Sequence, residues 1–295
     1  MKRLEQVLVA TDLSGPARRA LERAGTLSAS LDVRCAAVHV VHQGALERLR
    51  HLLGEDPDCL AEVLIEDARR RLEEQLAATL PESVQAEPRV LVGSVVDTLV
   101  AEAARVEAGL VILGARGEGF LRHLLLGTTA ERLLRRSVRP VLLVRQAPRD
   151  GYRRVLTAVD FSPSSSAALR LGAQVAPAAQ RVLLHACEVP FEGKLVNADV
   201  SEASILRLRR QAAQEGHEQL QAFAAAERVA GNDLRLVVRC GDPSRVILET
   251  AEREGCDLVV IGKRGRGLVE ELLLGSVTRH VLADASMDAL VAAPD

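Results

Sequence analysis

Three glycines recur with the same spacing in the two halves of this chain. Gly114-Ala115-Arg116-Gly117, with Gly127-Thr128 following after nine residues, is matched by Gly262-Lys263-Arg264-Gly265, with Gly275-Ser276 following after nine. Each of these glycines has its counterpart 148 residues away, and so does Asp12, at Asp160. A constant offset over such a distance marks an internal duplication. The 295 residues are therefore read as two similar domains, 1–146 and 151–295, each large enough to bury a core without metal or disulfide. Gln146-Ala147-Pro148-Arg149-Asp150-Gly151 is the turn-rich linker, short enough to keep the domains adjacent.

Within each half, short apolar runs alternate with longer amphipathic ones, the pattern of an α/β fold with helices on both faces of a parallel sheet. Residues 6–10, 34–41, 87–92, 110–114 and 141–144 read as strands, with 154–159, 181–186, 234–239, 258–262 and 289–292 as their counterparts. Their near-continuous β-branched character fits strands buried on both faces. Helical patterns lie between them, at 17–31, 59–80, 96–106 and 128–136, then 164–175, 204–230, 244–254 and 276–282. Residues 43–58 and 188–201 align poorly between the copies and read as divergent loops over the sheet edge. With no Trp, one Tyr and four Phe, the cores must be built from Leu, Val, Ile and Ala.

Composition excludes several function classes. A net charge of −2 supplies no basic surface for nucleic acid or anionic lipid, and scarce aromatics disfavour base-stacking platforms. Arginine runs such as Arg69-Arg70-Arg71 sit among acidic residues at helical spacing and read as solvated faces. No stretch has the length of a signal peptide core or membrane span, so a cytoplasmic protein is expected. The five cysteines form no CxxC and are expected as reduced thiols. His39 and His42, or His185 and Cys187, lack the further ligand spacing of a zinc site.

The chemistry concentrates at the glycines. A strand ending at Gly114 or Gly262 must turn at the carboxyl edge of the sheet, where open α/β folds place ligands. Glycines there permit positive φ and let backbone N–H groups approach an anion. The helices opening at Gly127-Thr128 and Gly275-Ser276 add unpaired donors and the positive end of a dipole. The hydroxyls of Thr128 and Ser276 either cap those helices or bond a phosphate. Asp12 and Asp160 close the first strand of each copy, placed to bond a ribose hydroxyl or to help hold Mg²⁺. Their alternative role is helix entry, although Ser14 and Ser162, each with an early proline, suffice as caps. Arg116, Lys263 and Arg264 either neutralise phosphate or are solvated loop charges. No lysine follows the glycines as in a P-loop.

On these residues the chain resembles a tandem universal stress protein of the UspA type, whose nucleotide-binding members share a G-x2-G-x9-G-[ST] signature. The resemblance covers essentially the whole sequence. It implies a five-stranded parallel sheet of order 3-2-1-4-5 in each domain, with ATP at the carboxyl edge between the first and fourth strands. Asp12 and Asp160 match the nucleoside-contacting aspartate. Gly114, Gly117, Gly127 and Thr128, with Gly262, Gly265, Gly275 and Ser276, match the ribose and phosphate positions. Val40 and Ala186 fall near the position that packs on adenine. The last strand is where such proteins often pair, here domain with domain, with a homodimer as a further possibility.

Two departures stand out: Gly109 where the second copy has the usual acidic residue, Asp257, and Met287-Asp288 where the first has Arg139-Pro140. The second departure is expected to loosen the final strand. The resemblance implies a regulatory role in stress and an adenine nucleotide, ATP or AMP, with or without Mg²⁺. No residue stands out as a general base, so efficient hydrolysis is not expected. The rival readings are a nucleotide-free scaffold for a protein partner and a slow Mg²⁺-dependent ATPase.

Overall fold

The computed structural model describes residues 3–53, 57–115, 126–148, 150–188, 201–229, 233–265 and 274–293. The chain divides into two compact units, Met1–Gly151 and Tyr152–Asp295. The first unit runs β1 (Gln6–Ala10), α1 (Gly15–Leu31), β2 (Arg34–His42), α2 (Gln43–Leu53), α3 (Pro57–Thr79), β3 (Ala86–Gly93), α4 (Val95–Arg105), β4 (Leu110–Gly114), α5 (Thr128–Arg136) and β5 (Val141–Val144). The second runs β6 (Arg154–Ala158), α6 (Pro163–Val175), β7 (Gln180–Cys187), α7 (Glu202–Ala226), β8 (Leu234–Cys240), α8 (Pro243–Arg253), β9 (Leu258–Gly262), α9 (Ser276–Asp284) and β10 (Asp288–Ala292).

Within each unit all neighbouring strands are parallel. The order is β3-β2-β1-β4-β5 in the first and β8-β7-β6-β9-β10 in the second. The central strands are buried along their whole length, because helices cover both faces and leave no room for polar alternation. The cores are aliphatic: Leu8, Leu21, Leu72, Ile112 and Leu142 are fully buried in the first unit, Leu156, Leu171, Val260 and Leu290 in the second. Among the described residues no helix is long and apolar enough to cross a membrane.

The order reverses direction between β1 and β4, and between β6 and β9, the place outside the strand ends where open α/β sheets form a crevice. The chain enters it in the same way twice. Leu13 and Phe161, one residue after each aspartate, both adopt φ of 63°. A left-handed non-glycine residue costs on the order of 1–2 kcal/mol, and here an Asx turn holds it. The Ser14 N–H donates to Asp12 Oδ1 at 3.1 Å, and the Ser162 N–H to Asp160 Oδ1 at 3.0 Å. Ser14 and Ser162 then cap α1 and α6 through their own hydroxyls, with a proline in the first turn.

Several expectations need correction. Residues 43–58 are not a loop: α2 occupies Gln43–Leu53 and α3 starts at Pro57. Leucines at 46, 49 and 53 repeat at helical spacing, and Gln43 bonds Glu47 one turn on. Of the second supposed loop, residues 189–200 lie outside the described residues. The thiols are not all reduced, because Cys187 and Cys240 form a disulfide with Cα atoms 4.4 Å apart. They are 53 residues apart in sequence but opposite each other in the β7–β8 register.

Nor does Met287-Asp288 loosen the final strand. Asp288 is fully buried, begins β10 and accepts a hydrogen bond from the Tyr152 hydroxyl at 2.8 Å. The Gly109/Asp257 difference is also explained by local packing. The Asp257 carboxylate accepts the N–H groups of Arg153 and Arg154. At Gly109 a Cβ would stand 2.7 Å from Leu4 Cδ1, so Leu4 fills that space instead.

Candidate functional site

In the second unit the carboxyl edge encloses a cavity of about 380 Å³, inside the range of about 300–1,000 Å³ typical of small-molecule sites. One wall is apolar, made by Ala158, Leu184 and Ala186 at the strand ends with Pro243 and Ile247 of α8. The other carries Asp160, Ser165, Arg264, Gly265, Gly275 and Ser276. An apolar slot beside a polar, donor-rich end suits a ligand with a flat ring at one end and anionic oxygens at the other.

The polar end is built by the glycine loop. Gly262, Gly265 and Gly275 do not use the positive φ that glycine permits. Their role is space. A Cβ at Gly262 would stand 2.7 Å from the Ser164 Cβ, so α6 could not approach β9 as it does. A Cβ at Gly265 would come within 3.1 Å of Asp160 Oδ2. The loop ends are tied by the Gly275 N–H donating to the Lys263 carbonyl at 3.1 Å and by the Thr278 hydroxyl donating to the Gly262 carbonyl at 2.9 Å.

Gly275 is the N-cap of α9, and no side chain caps that helix. Ser276 is its first residue, so its hydroxyl does not cap the helix. The first regular bond runs from the Arg279 N–H to the Gly275 carbonyl, which leaves the N–H groups of Ser276, Val277 and Thr278 outside the helical ladder. Those three residues line the cavity. By contrast, α1, α6, α7 and α8 are capped by Ser14, Ser162, Ser201 and Asp242. A glycine cap that leaves donors open at a cavity wall is suited to an anion.

Asp160 is braced from the other side. Its Oδ1 accepts from the Ser162 N–H, the Ser162 hydroxyl at 2.5 Å and the Ser165 hydroxyl at 2.6 Å. Ser165 Oγ also accepts the Asp160 N–H at 2.9 Å. Arg264 lines the cavity, and among the described residues its buried Nε has no hydrogen-bond partner. Lys263 does not share that place: it is 5% exposed and absent from the cavity wall. Burial, with Arg264 beside it, pushes its ammonium below the ordinary lysine range.

The first unit repeats part of this arrangement. Gly127 is the N-cap of α5, again without a side-chain cap, and Thr128 is the first helical residue. The Gly127 N–H donates to the Ala115 carbonyl at 3.0 Å, as Gly275 does to Lys263. Gly114 ends β4 beside the Asp12 turn. Gly117 and Arg116 lie outside the described residues. Ala17 and Ala130 occupy the places of Ser165 and Thr278, so both bracing hydroxyls are missing there.

The histidines settle the alignment of the second strands. His39 Nδ1 bonds the Thr11 carbonyl at 3.0 Å and His185 Nδ1 the Val159 carbonyl at 2.8 Å. His39 therefore matches His185, and Val40 matches Ala186. Ala186 lines the cavity, while Val40 is half-buried in β2 opposite Leu91. Sequence reasoning missed Ser165, Thr278 and the apolar wall of α8. Ser165 and Thr278 carry no motif; only their distance from Asp160 and Gly262 reveals them.

The model of the universal stress protein family matches residues 4–145 and again 151–293. A universal stress protein of Mycobacterium tuberculosis is 31% identical over 199 residues, 63% of this chain and 62% of its own length. One of Mycolicibacterium smegmatis is 30% identical over 242 residues, 78% of this chain and 76% of its own. The chain thus spans less than two thirds of the length of the first of these relatives. A universal stress protein structure from Archaeoglobus fulgidus superposes over 100% of both chains with a TM-score of 0.68 at 21% identity. A Pseudomonas aeruginosa protein of unknown function covers 99% of this chain and 93% of its own, with a TM-score of 0.64 at 18% identity. With two matches in tandem that take in nearly all of its residues, the chain belongs to the universal stress protein family.

Proposed function

We propose that the cavity of the second unit binds an adenine nucleotide, with ATP as the fitting form, and that the protein acts as a nucleotide-responsive regulator rather than as an efficient hydrolase. The observation that carries this reading is the convergence of three kinds of group on one cavity. Asp160 Oδ1 is held by three donors, the first turn of α9 has no side-chain cap, and the cationic Arg264 lines the same cavity. The base would lie against Ala158, Leu184, Ala186 and Ile247. The phosphates would be held by the N–H groups of residues 276–278 with Arg264, and the sugar would lie near Asp160. Val40, Asp12, Gly114, Gly117, Gly127 and Thr128 would form the corresponding site of the first unit.

A ligand of this kind regulates only through different affinities for two conformations. Its effect on a partner is therefore read as a change in the partner's binding with nucleotide present. The testing experiment has two arms. Purified protein is denatured and the released small molecules are chromatographed, and stripped protein is titrated with ATP calorimetrically, with and without Mg²⁺. Adenine nucleotide in the first arm or saturable heat in the second supports the reading. Neither signal would leave the scaffold role as the better account, whereas turnover lost in Asp160→Ala would favour hydrolysis.

A further inference from the structure

Cys187 and Cys240 stand opposite each other at the ends of β7 and β8, on the edge where the cavity opens. Ala186, the residue before Cys187, lines the cavity, as do Pro243 and Ile247, which follow Cys240 in the chain. Between Cys240 and Pro243 the chain turns through Gly241, at φ 146°, whose N–H donates to the Cys187 carbonyl at 3.0 Å. The disulfide and this bond together fasten the end of β7 to the entry of α8. Both fastened pieces form the apolar wall.

The first unit makes the same connection without the crosslink. There Val41 and Val92 are the register partners, and Gly93 follows Val92 as Gly241 follows Cys240. Backbone pairing and packing alone join the two ends. The crosslink is thus a feature of one site in a duplicated molecule.

We propose that this disulfide is a redox control on the second cavity: closed, it holds the apolar wall in place for the nucleotide, and opened, it weakens binding there. The proposal rests on the reading of that cavity as a nucleotide site. The chemistry is thiol–disulfide exchange with a small dithiol or disulfide. In reduction, a dithiol's thiolate attacks Sγ of Cys240, the half-buried member of the pair, and expels the Cys187 thiolate; Cys187 itself is 5% exposed. The second thiol of the reagent then releases Cys240, so one protein disulfide becomes two thiols and one dithiol becomes a cyclic disulfide. In oxidation, a small disulfide RSSR accepts the two electrons and leaves as two RSH. A wall already fixed in its bound form costs less to order when the ligand arrives, which sets the direction of the effect.

The test uses the full chain carrying Gly127→Val, so that heat from ATP reports the second site. One sample is oxidised with glutathione disulfide, the other reduced with dithiothreitol and kept anaerobic. Alkylation and intact mass confirm the state of each. ATP affinity is expected to be about tenfold weaker in the reduced sample. A Cys187→Val, Cys240→Val variant, which copies the first unit, should bind at the reduced level and ignore dithiothreitol. Equal affinity in the two wild-type-cysteine samples overturns the redox control and leaves the nucleotide reading standing. No binding in either state overturns the nucleotide reading and the control with it. Free Cys187 and Cys240 in the glutathione-treated sample also overturn the control. If the valine variant does not fold, the two wild-type-cysteine samples still decide.

Discussion

Asp160 and Asp12 occupy the same place in the two units, yet a hydroxyl that braces Asp160 has no counterpart at Asp12. Ser165 donates to Asp160 Oδ1 and accepts the Asp160 N–H, whereas the first unit has Ala17 at that position. Replacing Ser165 by Ala removes both bonds while leaving Ser162 to cap α6. Each such bond contributes about 1 kcal/mol. The variant should stay folded by circular dichroism and bind ATP several-fold more weakly by calorimetry. Cys35 and Cys256 behave as core residues: burial pushes their thiols up to about 11 and about 12. Only a thiolate is alkylated readily, so at pH 8 neither should react with iodoacetamide until denaturant is added. Peptide mapping of the labelled protein checks this, and labelling in the native state would contradict it.

At the scale of elements, the two units solve the same helix ending differently. After α8 the chain turns left-handed at Gly255, with φ 64°, and after α4 it does so at Glu107, with φ 51°. Glycine adopts this conformation without the Cβ penalty. Glu107→Gly should therefore raise stability by about 0.5–1 kcal/mol, seen as a higher urea midpoint with an unchanged slope. Elements were also where the sequence was most and least legible. Strands such as 110–114, 141–144 and 258–262 are apolar throughout and preceded by Gly109, Pro140 and Asp257, so their starts are marked by composition alone. α2 was misread because its partner segment in the second copy does not align, which made divergence look like irregularity. The disulfide was invisible because strand register is a property of the folded sheet. The glycine loops were legible from their spacing, and of the two properties expected of them close approach is the one used at Gly262 and Gly265, not positive φ.

For the molecule as a whole, duplication produced two units with one topology and different sites. The second carries Ser165, Thr278 and the Cys187–Cys240 crosslink; the first carries Ala17, Ala130 and the Val41–Val92 pair. Two of these replacements add hydroxyls that brace polar groups at the cavity, and the third adds a covalent tie at its wall. The second site is accordingly the better pre-organised of the two, and it should fill first. Gly275→Val separates ligand space from folding. A Cβ there makes only ordinary contacts, 3.5 Å to Thr278 Oγ1, 3.6 Å to the Lys263 carbonyl oxygen and 3.7 Å to the Gly265 nitrogen, and the φ of −57° suits any residue. Calorimetric titration of ATP into stripped wild-type and Gly275→Val protein is the most direct measurement. The tighter binding event should vanish in the variant while its thermal unfolding stays cooperative, and an unchanged isotherm would contradict a nucleotide site in that cavity.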